Sequence, residues 1–124
     1  MLLIDVRNWV VAALPADYLA MFSWVESSRP EDAASRYCIV QQTGGAGPIV
    51  ETRYPRFRVV LLGKRNERRD AQKVLTDIEA LLQAAMGDAV PCGAASIRAI
   101  TEPVGPGFTT ENRAWAQVDF EIII

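Results

Sequence analysis

The chain has 124 residues, half of them apolar and 23% charged, with a formal net charge of −2. That composition builds a packed domain and excludes a disordered or low-complexity polymer, and no stretch reaches the roughly 20 continuous apolar residues of a membrane helix. Histidine is absent, which removes Ser-His-Asp and Cys-His nucleophilic sites and H-E-x-x-H zinc sites together.

Residues 1–124 are expected to form one domain. Leu2, Leu3, Val6, Trp9, Val10 and Ala13 recur at helical spacing, which predicts an amphipathic helix over 2–13 that stops before Pro15. Asp5 and Arg7 interrupt the apolar start, so no signal peptide is expected and the protein reads as made in a cytoplasm. Residues 18–24 are too short for a clear helix and read as a short edge strand. The polar stretch 26–32 is loop chemistry. Residues 36–42 are β-branched and aromatic, hence a strand, which Thr43-Gly44-Gly45-Ala46-Gly47-Pro48 is expected to stop.

Residues 54–62 predict a second strand, with Phe57, Val59 and Leu61 on one face and Arg56, Arg58, Val60 and Leu62 on the other. Asn66 is read as the N-cap of a helix over 67–86. Within it Ala71, Val74, Leu75, Ile78, Leu81, Leu82 and Ala85 form an apolar stripe, and Gly87 supplies the stop. Residues 95–102 predict a further strand, 103–107 (Pro-Val-Gly-Pro-Gly) a loop. Residues 113–124 alternate as a last strand, with Ala116, Val118, Phe120 and Ile122 on one face. This order predicts an α+β fold of two layers: a mixed, mainly antiparallel β-sheet with the helices packed on one face.

Candidate chemistry is sparse. Cys38 and Cys92 lie far apart, outside any C-x-x-C pair, and read as two buried thiols. The glycine-rich stretch 44–47 lacks the lysine and following helix of a phosphate loop. Asp119 and Glu121 on one strand face lie roughly 7 Å apart, a spacing glycosidases use, but nothing else marks a sugar site. No catalytic, cofactor-binding or metal-ligating residue is assigned.

The charge distribution is more informative. Arg53, Arg56, Arg58, Lys64, Arg65, Arg68, Arg69 and Lys73 hold eight of the thirteen basic residues, against Glu67 and Asp70 in the same window. The window therefore carries 8 − 2 = +6 and the remainder −8. Three readings stand open: charge neutralised internally or by solvent, with Arg56 and Arg58 pairing across the sheet to Asp119 and Glu121; a protein contact; and a nucleic-acid contact. At the end of the chain, Glu121-Ile122-Ile123-Ile124 replaces alternation by a continuous apolar run, so both faces of that strand call for burial. One face has its own core; the other is a hint of contact between copies.

The order of elements resembles a known family. Val40-Gln41-Gln42-Thr43-Gly44-Gly45 is followed by a variable loop, and then by the strand Tyr54-Pro55-Arg56-Phe57-Arg58-Val59-Val60-Leu61-Leu62-Gly63-Lys64. A long helix containing Ala71-Gln72-Lys73-Val74 comes next. A hairpin from Ile97 leads through Ala114-Trp115-Ala116-Gln117-Val118-Asp119-Phe120 to the end. Over 36–124, and with the helix at 2–13 in place, the pattern is similar to the tail terminator and minor capsid (head–tail joining) family of long-tailed bacteriophages.

That resemblance implies a structural virion protein without enzymatic activity or cofactor, located at the tail or neck. Its partners would be copies of itself in a ring, commonly a hexamer, the tail tube protein and the head-completion or connector protein. DNA would pass through the ring lumen without sequence-specific contact, and no membrane is involved. The contacting loops would be 43–53 and 103–112, so Thr43, Gly44, Gly45, Arg53, Thr109 and Glu111 are expected contact residues, and Arg65, Arg68 and Arg69 of the basic window are added to them. The alternatives are another head–tail connector, a stopper or adaptor, and a small nucleic-acid-binding regulator using residues 64–73.

Overall fold

The computed structural model describes residues 3–24, 34–49 and 52–124; the predicted loop at 26–32 lies outside them. Helix α1 (Leu3–Ala13) leads into β1 (Tyr18–Met21). Then follow β2 (Arg36–Ile49), β3 (Thr52–Leu62), helix α2 (Asp70–Ala85), β4 (Ser96–Ala99), β5 (Val104–Phe108) and β6 (Ala114–Ile123). The strands form one sheet in the order β1-β2-β3-β6-β4, with β5 also paired to β6. β1 runs parallel to β2 and every other pairing is antiparallel. The fold is α+β with a mixed, mostly antiparallel sheet, as the alternation of patterns predicts.

Both helices cover one face. Val6, Trp9 and Val10 of α1 and Val74, Ile78, Leu81 and Ala85 of α2 meet Cys38 and Val40, Phe57, Val59 and Leu61, and the even-numbered residues of β6 from Ala114 to Ile122. The strand period of two places these residues on one side, and burial against the helical stripes supplies the main stabilisation. Trp9 packs edge-on against Phe120 with ring centroids 5.5 Å apart. It also donates its indole N–H to the Ala89 carbonyl at 3.0 Å, so the polar end of the ring is satisfied.

The opposite face has a smaller apolar cluster at one end: Tyr37, Ile39 and Leu62, with Trp24, Val60 and Trp115 against them. Arg113 lies beneath it with no exposed surface. Its guanidinium donates to the Ser35 and Gly63 carbonyls at 2.9 and 2.8 Å. The same group sits 5.1 and 5.3 Å from the Trp24 and Tyr37 ring centres, which gives the buried charge both acceptors and aromatic faces.

Four sequence expectations are corrected. Of the two thiols expected to be buried, Cys38 is, whereas Cys92 lies exposed in the turn before β4. The strand predicted to stop at Thr43 continues: Gly44, Gly45 and Ala46 pair with Arg56, Pro55 and Tyr54, with the register shifting between Gln42 and Gly44. The glycines accommodate the irregularity rather than end the strand. Gly45 has φ +127, and a Cβ there would collide with the Tyr54 carbonyl. The predicted loop at 103–107 is largely β5, whose Val104, Gly107 and Phe108 pair with Gln117, Trp115 and Ala114. Trp115 needs the glycine, because its indole fills the space a Cβ at position 107 would take. Finally, α2 begins at Asp70 rather than 67, with Arg69 at the cap position and no side-chain cap. Asn66 is not the N-cap; it stands in a left-handed turn at φ 57, a conformation asparagine tolerates well.

β4 and β5 are two parts of one interrupted arm along β6. Between them the Ile100 amide donates to the Asp119 carbonyl at 2.9 Å and the Asp119 amide to the Thr101 hydroxyl at 3.2 Å.

Candidate assembly surfaces

The sequence-derived contact residues separate into two groups at opposite ends of β3. From Arg56 to Leu62 the strand advances about 20 Å; one group lies beyond Leu62 and the other at and beyond the level of Arg56.

At the Leu62 end, two turns are cross-braced. The Asn66 amide donates to the Glu111 carbonyl at 3.2 Å, and Asn112 Nδ2 donates to Asn66 Oδ1 at 3.4 Å. Both asparagines are left-handed, at φ 57 and 58. Thr109 closes the second turn: its amide donates to the Arg113 carbonyl and its hydroxyl accepts from the Arg113 amide, at 2.9 and 3.1 Å. Arg68 donates to Asn112 Oδ1 at 3.3 Å and holds its guanidinium 3.9 Å from the Phe108 ring centre. Arg65, Arg68, Arg69, Thr109 and Glu111 thus belong to one surface. Thr43, Gly44, Gly45 and Arg53 belong to the other end, on the β2–β3 hairpin, where the Arg53 carbonyl accepts from the Ile124 amide at 3.2 Å.

The basic window is partly neutralised within the fold. On the helix-free face, Arg58 pairs with Asp119 at 2.9 Å, and Glu121 receives Arg56 at 3.1 Å and Arg98 at 2.8 Å. Arg56 and Arg58 stand directly opposite those two acids in the β3–β6 register, which settles the open cross-sheet reading for this pair. Hydrogen bonds from Arg98 and then Arg56 hold the Glu121 carboxyl below its ordinary range. The lowered Glu121 carboxyl is unlike the raised carboxyl of a glycosidase general acid.

Lys73 is also engaged, reaching Asp17 and Asp77 at 3.2 and 3.1 Å. Asp77 accepts from the buried Tyr18 hydroxyl at 2.7 Å, and burial together with that carboxylate pushes the Tyr18 phenol above its ordinary range. Lys64, Arg65, Arg68 and Arg69 lie together at the turn end.

Sequence reasoning missed the junction that sets this end. Asp70 accepts both Arg36 Nε at 3.0 Å and Nη2 at 3.1 Å, plus the Lys64 amide at 2.8 Å. Gly63 packs so closely that a Cβ would lie 2.6 Å from that of Asp70. With Asn66 read as the N-cap, Asp70 falls inside the predicted helix, and nothing local in the sequence points to its contact with Gly63 and Arg36.

Exposed large apolar side chains lie at both lateral edges of the sheet. Leu19, Met21 and Phe22 mark the β1 edge; Met86 and Val104 lie on the other side. There a groove of about 450 Å³ runs between the end of α2 and residues 98–102. Among the described residues no group of three His, Cys, Asp or Glu side chains could hold a metal ion, and no helix is long and apolar enough to cross a membrane.

Comparison with known proteins gives one decisive result. One solved structure aligns over 96% of this chain and 88% of its own length, at 15% identity and a TM-score of 0.49, too distant to bear on function. No curated protein matches. The family described as phage tail termination protein matches residues 2–124, essentially the whole chain, and the chain belongs to that family of phage tail proteins.

Proposed function

We propose that this protein is a structural, non-enzymatic component of the virion that forms a ring, most simply a hexamer, closing the finished tail tube and presenting the surface on which the head is joined. The observation that carries the reading is the family match across residues 2–124. Its partners are then copies of itself, the tail tube protein and the head-completion protein, with DNA crossing the lumen without sequence readout.

The two lateral edges support self-association. They are unlike one another, β1 with Leu19 and Met21 on one side and the β4–β5 arm with Val104 on the other. A contact between two different surfaces of one chain is heterologous, and it generates a ring when the rotation closes. The two ends of the sheet support axial partners, because a ring built through its lateral edges leaves both ends free for tube and head.

The test is electron microscopy of the purified protein mixed with tail tubes, scored for a terminal ring, together with its mass in solution. Bare tube ends at saturating protein would refute the terminator role. A ring found only on the head-side connector would favour a stopper or adaptor.

A further inference from the structure

We infer that β1 is a latched strand: the Tyr18–Asp77 hydrogen bond, backed by Asp17 with Lys73 and Arg36, holds it in the register that turns its more apolar face outward. Within β1, Tyr18 is buried and Ala20 partly so, whereas Leu19 is 55% and Met21 39% exposed. The opposite alternation would bury a leucine and a methionine, which need no hydrogen-bond partner. It would release a tyrosine that must bring its hydroxyl inside and an alanine that contributes one methyl. Because the side-chain period is two, a slip of one residue makes that exchange complete. Apolar burial by itself therefore favours the register the protein does not adopt.

The backbone leaves the choice open. β1 pairs with β2 in parallel, from Tyr18 opposite Arg36 to Met21 opposite Ile39, so no hairpin turn fixes the register. A turn at Ala16 and Asp17 precedes the strand and a bend at Phe22 and Ser23 follows it, and these irregular segments can take up one residue. Trp24 packs on Tyr37 with ring centres 4.3 Å apart, but the bend separates that contact from the strand.

What selects the native register is polar. The Tyr18 hydroxyl donates to Asp77 Oδ2 at 2.7 Å. Lys73 Nζ lies 3.1 Å from the same oxygen and 3.2 Å from Asp17, and Arg36 reaches Asp17 at 3.0 Å. Lys73 Nζ also stands 5.3 Å from the Tyr18 ring centre. Asp17 and Tyr18, neighbours in sequence, are thus both tied to the Lys73–Asp77 face of α2. A one-residue slip would carry Tyr18 to the far side of the sheet and break this set. Fixing register is the best-attested use of buried polar groups. The consequence is that Leu19 and Met21 stay on the surface of the free β1 edge, where the ring reading above puts a contact between copies. The latch itself consists of contacts within one chain and does not depend on that reading.

Native Cys38 serves as a ruler for the test, because its partner across the β1–β2 pair is Ala20. Adjacent strands lie about 4.8 Å apart, within reach of a disulfide. In a Cys92→Ser background, Ala20→Cys and Met21→Cys are each treated with a mild oxidant under native conditions. The fraction joined to Cys38 is read from the single-chain band by mass spectrometry of the unreduced digest. With the latch intact, position 20 should join Cys38 and position 21 should not. Asp77→Ala leaves the Tyr18 hydroxyl without this acceptor, and the ratio of 21–38 to 20–38 product should rise about tenfold or more. Adding Tyr18→Phe to Asp77→Ala should restore the 20–38 product, because donor and acceptor are then removed together.

An unchanged ratio in Asp77→Ala would overturn the inference, and so would a double variant that stays shifted. Equal joining through positions 20 and 21 with the latch intact would overturn it by showing that the strand has no fixed register. Loss of the cooperative unfolding transition in Asp77→Ala would overturn it too, since Asp77 would then hold the whole fold. A protein that forms no ring removes the proposed function and leaves this result standing, because the cross-link forms inside one chain.

Discussion

Replacing Asp70 by alanine removes the clamp where β3, α2 and β2 meet. Three hydrogen bonds disappear: two from the Arg36 guanidinium at 3.0 and 3.1 Å and one from the Lys64 amide at 2.8 Å. Bonds to a charged partner contribute about 1.5–3 kcal/mol each. Arg36 keeps Asp17 at 3.0 Å and is not left alone, so the loss should stay near the low end of what breaking a buried pair costs, about 3 kcal/mol.

For 124 residues the unfolding entropy is about 0.26 kcal/mol/K, so the melting midpoint should drop by about 11 °C. The pH dependence carries the signature. Burial raises the Asp70 carboxyl, but the hydrogen bonds from Arg36 and from the Lys64 amide outweigh it and hold the group below its ordinary 3.8. A lowered carboxyl stabilises fully above its unfolded value and loses that stabilisation as pH falls through the folded one. The gap between wild type and Asp70→Ala should therefore be constant from about pH 5 to 8 and close as the pH drops beneath 3.8. Denaturant titrations at several pH values measure it. A gap under about 1 kcal/mol at pH 7, or one that persists unchanged to pH 2, would refute the clamp.

Thiol labelling should separate the two cysteines: Cys92 is exposed, whereas Cys38 has no exposed surface and burial pushes its thiol up to about 12. One equivalent should react with a disulfide reagent in the native protein and the second only on unfolding; two fast equivalents would contradict the packing around Cys38. Gly107→Ala puts a methyl 2.5 Å from Trp115 Cζ2 and 2.6 Å from Nε1. It should cost about 1–3 kcal/mol and alter tryptophan fluorescence, and an unchanged unfolding curve would show that the arm can shift freely. Ile78→Ala, at a site with no exposed surface, should cost about 3 kcal/mol. Arg58→Ala should cost under about 1 kcal/mol despite its 2.9 Å pair, because the arginine is 40% exposed. Chemical denaturation of both variants would reveal the reverse order if the charged ladder mattered more than the core.

Much of the scaffold is legible in local pattern. The stripe Val74, Ile78, Leu81 and Ala85 fixes the buried side of α2, and the alternation from Ala114 to Ile122 fixes the core side of β6, because helix and strand periods translate directly into faces. The cross-sheet partners of Arg56 and Arg58 were also accessible, since like-spaced arginines and acids on two strands match only in one register. The short edge strand β1 followed from the length of its segment.

The glycine and proline stretches were not legible in the same way. Residues 43–48 and 103–107 carry turn chemistry, and their local preference is to leave the sheet. Pairing with Tyr54, Pro55 and Arg56 in one case, and with Trp115 and Gln117 in the other, overrides that preference through partners distant in the chain. Asn66 misled for the same reason: an N-cap signal is local, while the Asn66–Glu111 contact spans the fold.

The sequence by itself determined the two layers, the buried stripes, the charge asymmetry and the absence of histidine chemistry, all of which depend on residue type and short-range period. Only the tertiary structure decided that Arg65, Arg68, Arg69, Thr109 and Glu111 share one braced end while Thr43, Gly44, Gly45 and Arg53 occupy the other. Antiparallel strands carry residues far apart in sequence to the same end of the sheet and close neighbours to opposite ends, so which of them share a surface is a property of the register.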